Sequence, residues 1–367
     1  MTIDKIEKLK ECIRRELDLV TTYDQYVDVV SCWEAFLEFS YGSEYETFFF
    51  DRFPRIPVVD KWVTPDFTAF FTEEYAMIFE ISRTFPKGDA GLKKEMNQLF
   101  EYDKDILVYN GKEYVEVDDY DVILLLSGRD SFEIAQRISK YLEEENRKFS
   151  HNFIIMEYIS NYMDTHPSYY FRKIPVLETT FTDFFPDRTS LSKMVDLCLK
   201  SINIKVEDMK EYKINGVLCN DDPPPAYLAG YIWHKIMYSY LDEEQKRLWR
   251  EKNPRLIIPV EVNIDDMKAK LKKSIKNGKI RRKWIKNVFE FLIDCNLAEK
   301  KSNSTYEVRY RNLYPTIEVE HRDDFLLKKY YRKELAAYFI ERFCKKKFNI
   351  QEKKEEYVKQ KKLSDFL

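Results

Sequence analysis

Residues 121–127, Asp-Val-Ile-Leu-Leu-Leu-Ser, hold the unbroken apolar run Val122–Leu126, too short for a packed helix, and the segment reads as a buried strand. A strand of this kind needs partners and covering layers, and its flanks supply both. Lys61–Phe71 reads as a strand, Thr72-Glu73-Glu74 as a turn and Tyr75–Ser82 as a second strand. Helices are predicted over 89–104 and 130–147, and a further strand over 151–159. Upstream, Ile6, Leu9, Ile13 and Leu17 recur at helical spacing over 4–20, and a second helix is expected near 24–40. The stretch 42–53 continues that helix or begins another, until Pro54 and Pro57 interrupt it. Mixed strands with interposed helices predict an α/β or α+β domain over residues 1–175.

The second half has a different rhythm. Residues 189–202 read as helical, and Asn220 through Pro225 read as the chain's best linker, so 176–225 is assigned as a helical connector. Then come a helix over 226–250, a strand over Leu256–Val262, a helix over 264–277, a turn at Asn277-Gly278 and a helix over 281–294. Leu297–Lys301, the tip Ser302-Asn303-Ser304 and a strand at Tyr306–Arg311 complete the series. Trp284, Val288 and Leu292, with Ile285, Phe289 and Ile293 alongside, give the last helix an apolar face. This order resembles that of winged-helix domains and defines a mainly helical domain over 226–315, with a basic helical extension over 316–367.

Composition removes several function classes. Eight glycines and no phosphate-loop or dinucleotide fingerprint argue against nucleotide sites built on glycine-rich loops. The 61 basic and 64 acidic residues nearly cancel, so bulk charge names no partner. The cysteines Cys12, Cys32, Cys198, Cys219, Cys295 and Cys344 are widely spaced, a pattern expected of buried thiols in a reducing cytoplasm. No apolar run approaches membrane-spanning length and the first residues are charged, so a cytoplasmic protein with no membrane partner is expected. The histidines His151, His166, His234 and His321 are scattered, and His234 beside Trp233 reads as a core residue.

The pattern that carries chemistry lies between residues 65 and 102. Asp66 stands early in one predicted strand and Glu80 late in the next, and two carboxylates so placed can converge on one ion. Phosphodiester cleavage needs hard oxygen ligands for Mg²⁺ or Mn²⁺. The position two residues after Glu80 shares its face, and a lysine is wanted there to orient water. Ser82 occupies it.

Pro65-Asp66, Glu80-Ile81-Ser82 and the later Gln98-Leu99-Phe100-Glu101-Tyr102 together resemble the PD-(D/E)-x-K nuclease superfamily, of restriction-endonuclease-like fold, over roughly residues 30–130. The resemblance implies a mixed sheet flanked by helices, with Asp66 and Glu80 as catalytic metal ligands. It also implies a third carboxylate from Gly42-Ser43-Glu44-Tyr45-Glu46, so that Glu46 joins the metal shell, with Glu38 as the substitute. Gln98 and Tyr102 would line the nucleic-acid path, and Lys93 or Lys94, with Lys87 nearby, would replace the lysine missing at position 82.

A second charged feature runs from Lys268 to Lys286, where ten Lys or Arg occur without an acidic residue. In a winged helix, Lys279, Arg281, Arg282, Lys283 and Lys286 would meet phosphates at the start of the last helix. The expectation is a metal-dependent nuclease acting on nucleic acid, DNA before RNA, with a protein partner or homodimer also in view. The alternative is a catalytically degenerate nuclease fold serving as a nucleic-acid-binding or assembly subunit.

Overall fold

In the computed structural model, residues 3–41, 46–58, 61–82, 85–86, 88–104, 106–161, 168–175, 202–205, 222–250, 256–275, 280–313 and 325–350 are described. The chain divides into two units, one built from Gln25–Ile214 and the other from both ends of the chain, Met1–Asp24 and Asn215–Leu367. Helix α1 (Ile3–Tyr41) contributes to each. It is one element where the sequence predicts two, because Val20-Thr21-Thr22-Tyr23 contains no Pro or Gly to break the hydrogen-bond ladder.

The inserted unit is mixed α/β. Its strands are β1 (Phe49–Arg52), β4 (Phe67–Thr72), β5 (Tyr75–Ser82), β8 (Asp119–Ser127), β9 (Asn152–Asn161), β10 (Ser168–Lys173) and β11 (Ile202–Lys205), with β2 (Ile56–Val58), β3 (Lys61–Val63), β6 (Leu107–Tyr109) and β7 (Tyr114–Glu116) in two small hairpins. The main sheet has seven strands in the order β1-β4-β5-β8-β9-β10-β11. The central pairs β5–β8 and β8–β9 are parallel, and the flanking pairs are antiparallel. Parallel neighbours need crossovers, supplied here by α2 (Asp89–Tyr102) and α3 (Ser131–Glu144).

Three expectations change. Residues 49–52 are strand rather than helix, as the run Phe48-Phe49-Phe50 favours a pleated surface. The strand expected over 61–71 breaks at Thr64-Pro65-Asp66 into β3 and β4, since Pro65 has no N–H to give a ladder. The small hairpins were not foreseen.

One face of the sheet packs on α2 and α3, where Ile78, Val122, Leu124 and Leu126 meet Leu92, Met96, Leu99 and Ile138. On the opposite face Trp33 of α1 sits 5.1 Å from Phe79 and 5.2 Å from Phe171, with Phe67 stacked on Phe79 at 4.1 Å. Burying each of these rings contributes at most about 4–6 kcal/mol by area.

The terminal unit holds α4 (Pro225–Lys235), α5 (Glu243–Arg250), β12 (Ile258–Asn263), α6 (Ile264–Ser274), α7 (Arg282–Asp294), β13 (Ala298–Lys300), β14 (Thr305–Tyr310) and α8 (Phe325–Lys347). Its sheet is antiparallel in the order β12-β14-β13. The single helix expected over 226–250 is interrupted, because Asp242 and Gln245 cap each other reciprocally: Gln245 N–H gives to Asp242 Oδ1 at 2.7 Å and Asp242 N–H to Gln245 Oε1 at 3.0 Å. That capping box starts α5 afresh. Trp233, Leu271, Trp284, Phe289 and Phe339 are among the residues of its core.

The cysteine expectation is corrected in part. Cys12 of α1 and Cys344 of α8 form a disulfide across 332 residues of sequence. Neither spacing nor composition announces this pairing, which depends on both chain ends entering one unit. Cys32 and Cys295 are buried thiol positions, whereas Cys198 and Cys219 lie outside the described residues, as does the helix expected over 189–202 apart from Ile202, which begins β11. No described helix is long and apolar enough to cross a membrane.

Candidate functional site

Pro65 ends the hydrogen bonding of β3 and leaves Asp66 at the mouth of β4. Its backbone is held on both sides: Asp66 N–H gives to Phe79 O at 2.9 Å, and Phe53 N–H gives to Asp66 O at 2.9 Å. The β4–β5 register pairs Phe67 with Phe79, and its continuation sets Asp66 opposite Glu80. The Asp66 carboxylate is buried. Its Oδ2 accepts the Ile81 N–H at 2.6 Å, and its Oδ1 accepts the Tyr26 hydroxyl from α1.

Glu80 is half-buried and held from α2. Gln98 Nε2 gives to Glu80 Oε1 at 2.9 Å, the Tyr102 hydroxyl gives to Glu80 Oε2 at 2.9 Å, and Gln98 Nε2 also reaches the Tyr102 oxygen at 2.8 Å. The one-turn spacing of Gln98 and Tyr102 puts both on one helix face, and Glu80 projects toward it from the sheet. Burial, then the charge of Glu80, pushes the Tyr102 hydroxyl well above its ordinary range, so it stays protonated as a donor.

The other predicted residues fall at varied distances from this centre. Lys94 lies one turn before Gln98 on the same helical row and is exposed. Lys93 points elsewhere, with its Nζ 3.8 Å from Glu145. Lys87 lies outside the described residues. Ser82 closes β5, half-buried and two residues beyond Glu80. Glu46 and Glu38 are both exposed; of the other α1 carboxylates, Glu34 is engaged with buried Arg52 of β1 and Asp28 accepts the Tyr169 hydroxyl of β10. What α1 brings to Asp66 is Tyr26, a residue the sequence reading missed. Tyr26 shares a buried stripe with Val30, Trp33 and Leu37, so its only signal is a hydroxyl on an otherwise apolar face.

Among the described residues, no group of three or more His, Cys, Asp or Glu is placed to hold a metal ion. Asp66 and Glu80 bring carboxylate oxygens, the hard donor type a divalent cation takes, to paired strands. Mg²⁺ commonly binds through one or two carboxylates, completed by water and phosphate oxygens.

The basic segment is also placed differently from its appearance in sequence. Lys279 lies outside the described residues. At the start of α7, Lys283 Nζ is 2.7 Å from Asp222 Oδ2, Arg281 Nη1 is 3.5 Å from Asp222 Oδ1, and Trp284 Nε1 gives to Asp222 Oδ1 at 2.5 Å. Arg282 Nε lies 3.2 Å from Asp265 Oδ1. The hydrogen bond from Lys283, then that from Trp284, holds the Asp222 carboxyl below its usual range. A run without acids in sequence is therefore met by acids in space, one of them from the segment read as a linker. Lys286, one turn further along, is exposed. Set against family models, characterised proteins and solved structures, the chain gives no match.

Proposed function

We propose that the inserted unit is a divalent-metal-dependent phosphodiesterase of the PD-(D/E)-x-K kind acting on nucleic acid, DNA before RNA, and that the terminal unit is a winged helix assisting its binding. The observation that carries this reading is the hydrogen-bonded triangle of Glu80, Gln98 and Tyr102, on the strand end opposite Asp66. The glutamine and tyrosine that the nuclease resemblance singles out meet around the Glu80 carboxylate. The terminal unit adds the order helix, strand, helix, helix, strand, strand, with its first strand paired to its last.

In this reading Asp66 and Glu80 are the metal ligands. A bound Mg²⁺ or Mn²⁺ would supply charge neutralisation at the scissile phosphate and lower the pKa of water there. Gln98 and Tyr102 hold the Glu80 carboxylate in one rotamer, and Tyr26 with the Ile81 N–H does the same for Asp66. Such fixed ligands lower the reorganisation needed when substrate binds. Lys94, on the helical row of Gln98, offers the cation that Ser82 does not.

The test is cleavage of supercoiled and linear DNA, and of RNA, with Mn²⁺. Activity lost in both Asp66→Asn and Glu80→Gln, with Mn²⁺ affinity by calorimetry lowered in each, supports the enzyme. A second reading, a nuclease fold that binds without cutting, is favoured by Ser82 at the lysine position. Salt-sensitive binding without cleavage at any metal concentration would establish it instead.

A further inference from the structure

Three donors at the start of α7 converge on a single carboxylate that belongs to neither α7 nor its neighbour α6. Arg281, Lys283 and the Trp284 Nε1–H all engage Asp222, which immediately precedes Pro223-Pro224-Pro225 and helix α4. Arg282, between them, is engaged by Asp265 at the beginning of α6. We propose that this cluster is a phosphate-binding cradle of the nucleic-acid backbone, with Asp222 standing in for the phosphate until nucleic acid displaces it. The proposal rests on the reading of the terminal unit as a nucleic-acid-binding winged helix.

Three features support an occupant that can leave. First, one carboxylate is shared among three donors, Arg281, Lys283 and the Trp284 N–H, so no single contact holds it. Second, the contacts are exposed on the charged side, with Asp222 at 40% and Lys283 at 70% side-chain exposure. Ion pairs this exposed contribute little, so polyanionic DNA can outcompete them. Third, the donor set matches phosphate as well as carboxylate: a forked guanidinium, an ammonium and an indole N–H. Trp284 is itself 2% exposed, so the indole donor is fixed in the core and does not move with the ligand. The prolines after Asp222 restrict its backbone, which makes the carboxylate a preformed competitor.

The experiment is fluorescence anisotropy with labelled duplex DNA, single-stranded DNA and RNA over a salt series, on the full chain. Asp222→Asn keeps an acceptor for the Trp284 N–H, so folding is preserved, and it removes the charge. The expected result is binding about two- to tenfold tighter at low salt, with a log–log salt slope steeper by about one phosphate contact. Asp222→Asn/Asp265→Asn gains more, and Lys283→Ala loses affinity and slope. Wild-type binding that is unchanged by Asp222→Asn, with an unchanged slope, overturns the cradle while leaving the winged helix standing. No binding by wild type or by either Asp variant to any of the probes overturns both. DNA cleavage through Asp66 and Glu80 is scored separately.

Discussion

The Tyr102 hydroxyl lies between two site residues, giving to Glu80 Oε2 at 2.9 Å and accepting from Gln98 Nε2 at 2.8 Å. A neutral donor is thereby held against a carboxylate, and burial keeps it neutral. The arrangement is cooperative in the sense that each group's second partner is also in the triangle.

Tyr102→Phe keeps the ring in its buried position and removes that hydroxyl. Hydrogen bonds to charged groups contribute about 1.5–3 kcal/mol, and an unfolding free energy lower by that amount, read as a lower urea midpoint at constant slope, is the expected outcome. In the proposed enzyme Mn²⁺ affinity falls as well, because Glu80 Oε2 is no longer oriented. Wild-type stability and wild-type metal binding together would mean that the triangle has no energetic role.

Tyr26 and Asp66 are predicted to be coupled. Tyr26→Phe and Asp66→Asn each remove one side of the same buried contact. Their double-mutant cycle should return an interaction energy of about 1–2 kcal/mol, against near zero for Tyr26→Phe combined with Gln98→Ala. Additive behaviour at Tyr26 and Asp66 would show that α1 does not fix the aspartate.

How far the sequence alone could reach is visible in these same residues. The nuclease resemblance singled out Glu80, Gln98 and Tyr102, and their elements were legible because strand alternation and helical spacing are local rules that β5 and α2 obey: Tyr75–Ser82 and residues 89–102 lie where the periodicity put them. Tyr26 was not, since its partner is 40 residues away and only the packing of α1 on the sheet joins them. Glu46 was picked through the nuclease resemblance, yet it stands just before β1 with its side chain exposed. The partners of the basic run were hidden for a related reason. Its sequence neighbours are all basic, and its acids, Asp222 and Asp265, arrive through the fold.

His151 should make the inserted unit weaker as pH rises. Its ring is half-buried and stacked on Tyr120 at 3.8 Å, with Nδ1 3.3 Å from Asp103 Oδ1. Burial, the largest single influence, lowers its pKa, but hydrogen bonding and charge from Asp103, with Asp119, together raise it above the ordinary value. A folded-state pKa above the unfolded value of about 6.5 means that the stabilisation is complete below about pH 6.5 and is lost as pH rises through the folded value. An NMR titration should place the His151 midpoint above 6.5, and His151→Gln should flatten that part of the stability profile. A midpoint below 6.5 would show that desolvation dominates.

The disulfide between Cys12 and Cys344 ties the two ends of the chain into one unit. Loop-closure entropy for a 332-residue separation would alone suggest roughly 6 kcal/mol. The inserted unit Gln25–Ile214 has a core of its own, however, and if it stays folded the effective loop is much shorter. A smaller effect, about 2–4 kcal/mol, is therefore expected on reduction. Dithiothreitol should lower the melting temperature of the terminal unit's transition and leave that of the inserted unit unchanged, while Cys12→Ser/Cys344→Ser should melt at the reduced value with or without reductant. Both cysteines reside in α-helices, α1 and α8, so reduction removes a crosslink without removing an element. Peptide mapping without reductant gives the direct check: a Cys12–Cys344 linked peptide is expected after air oxidation, and recovery of both cysteines as alkylated thiols from that sample would rule the crosslink out.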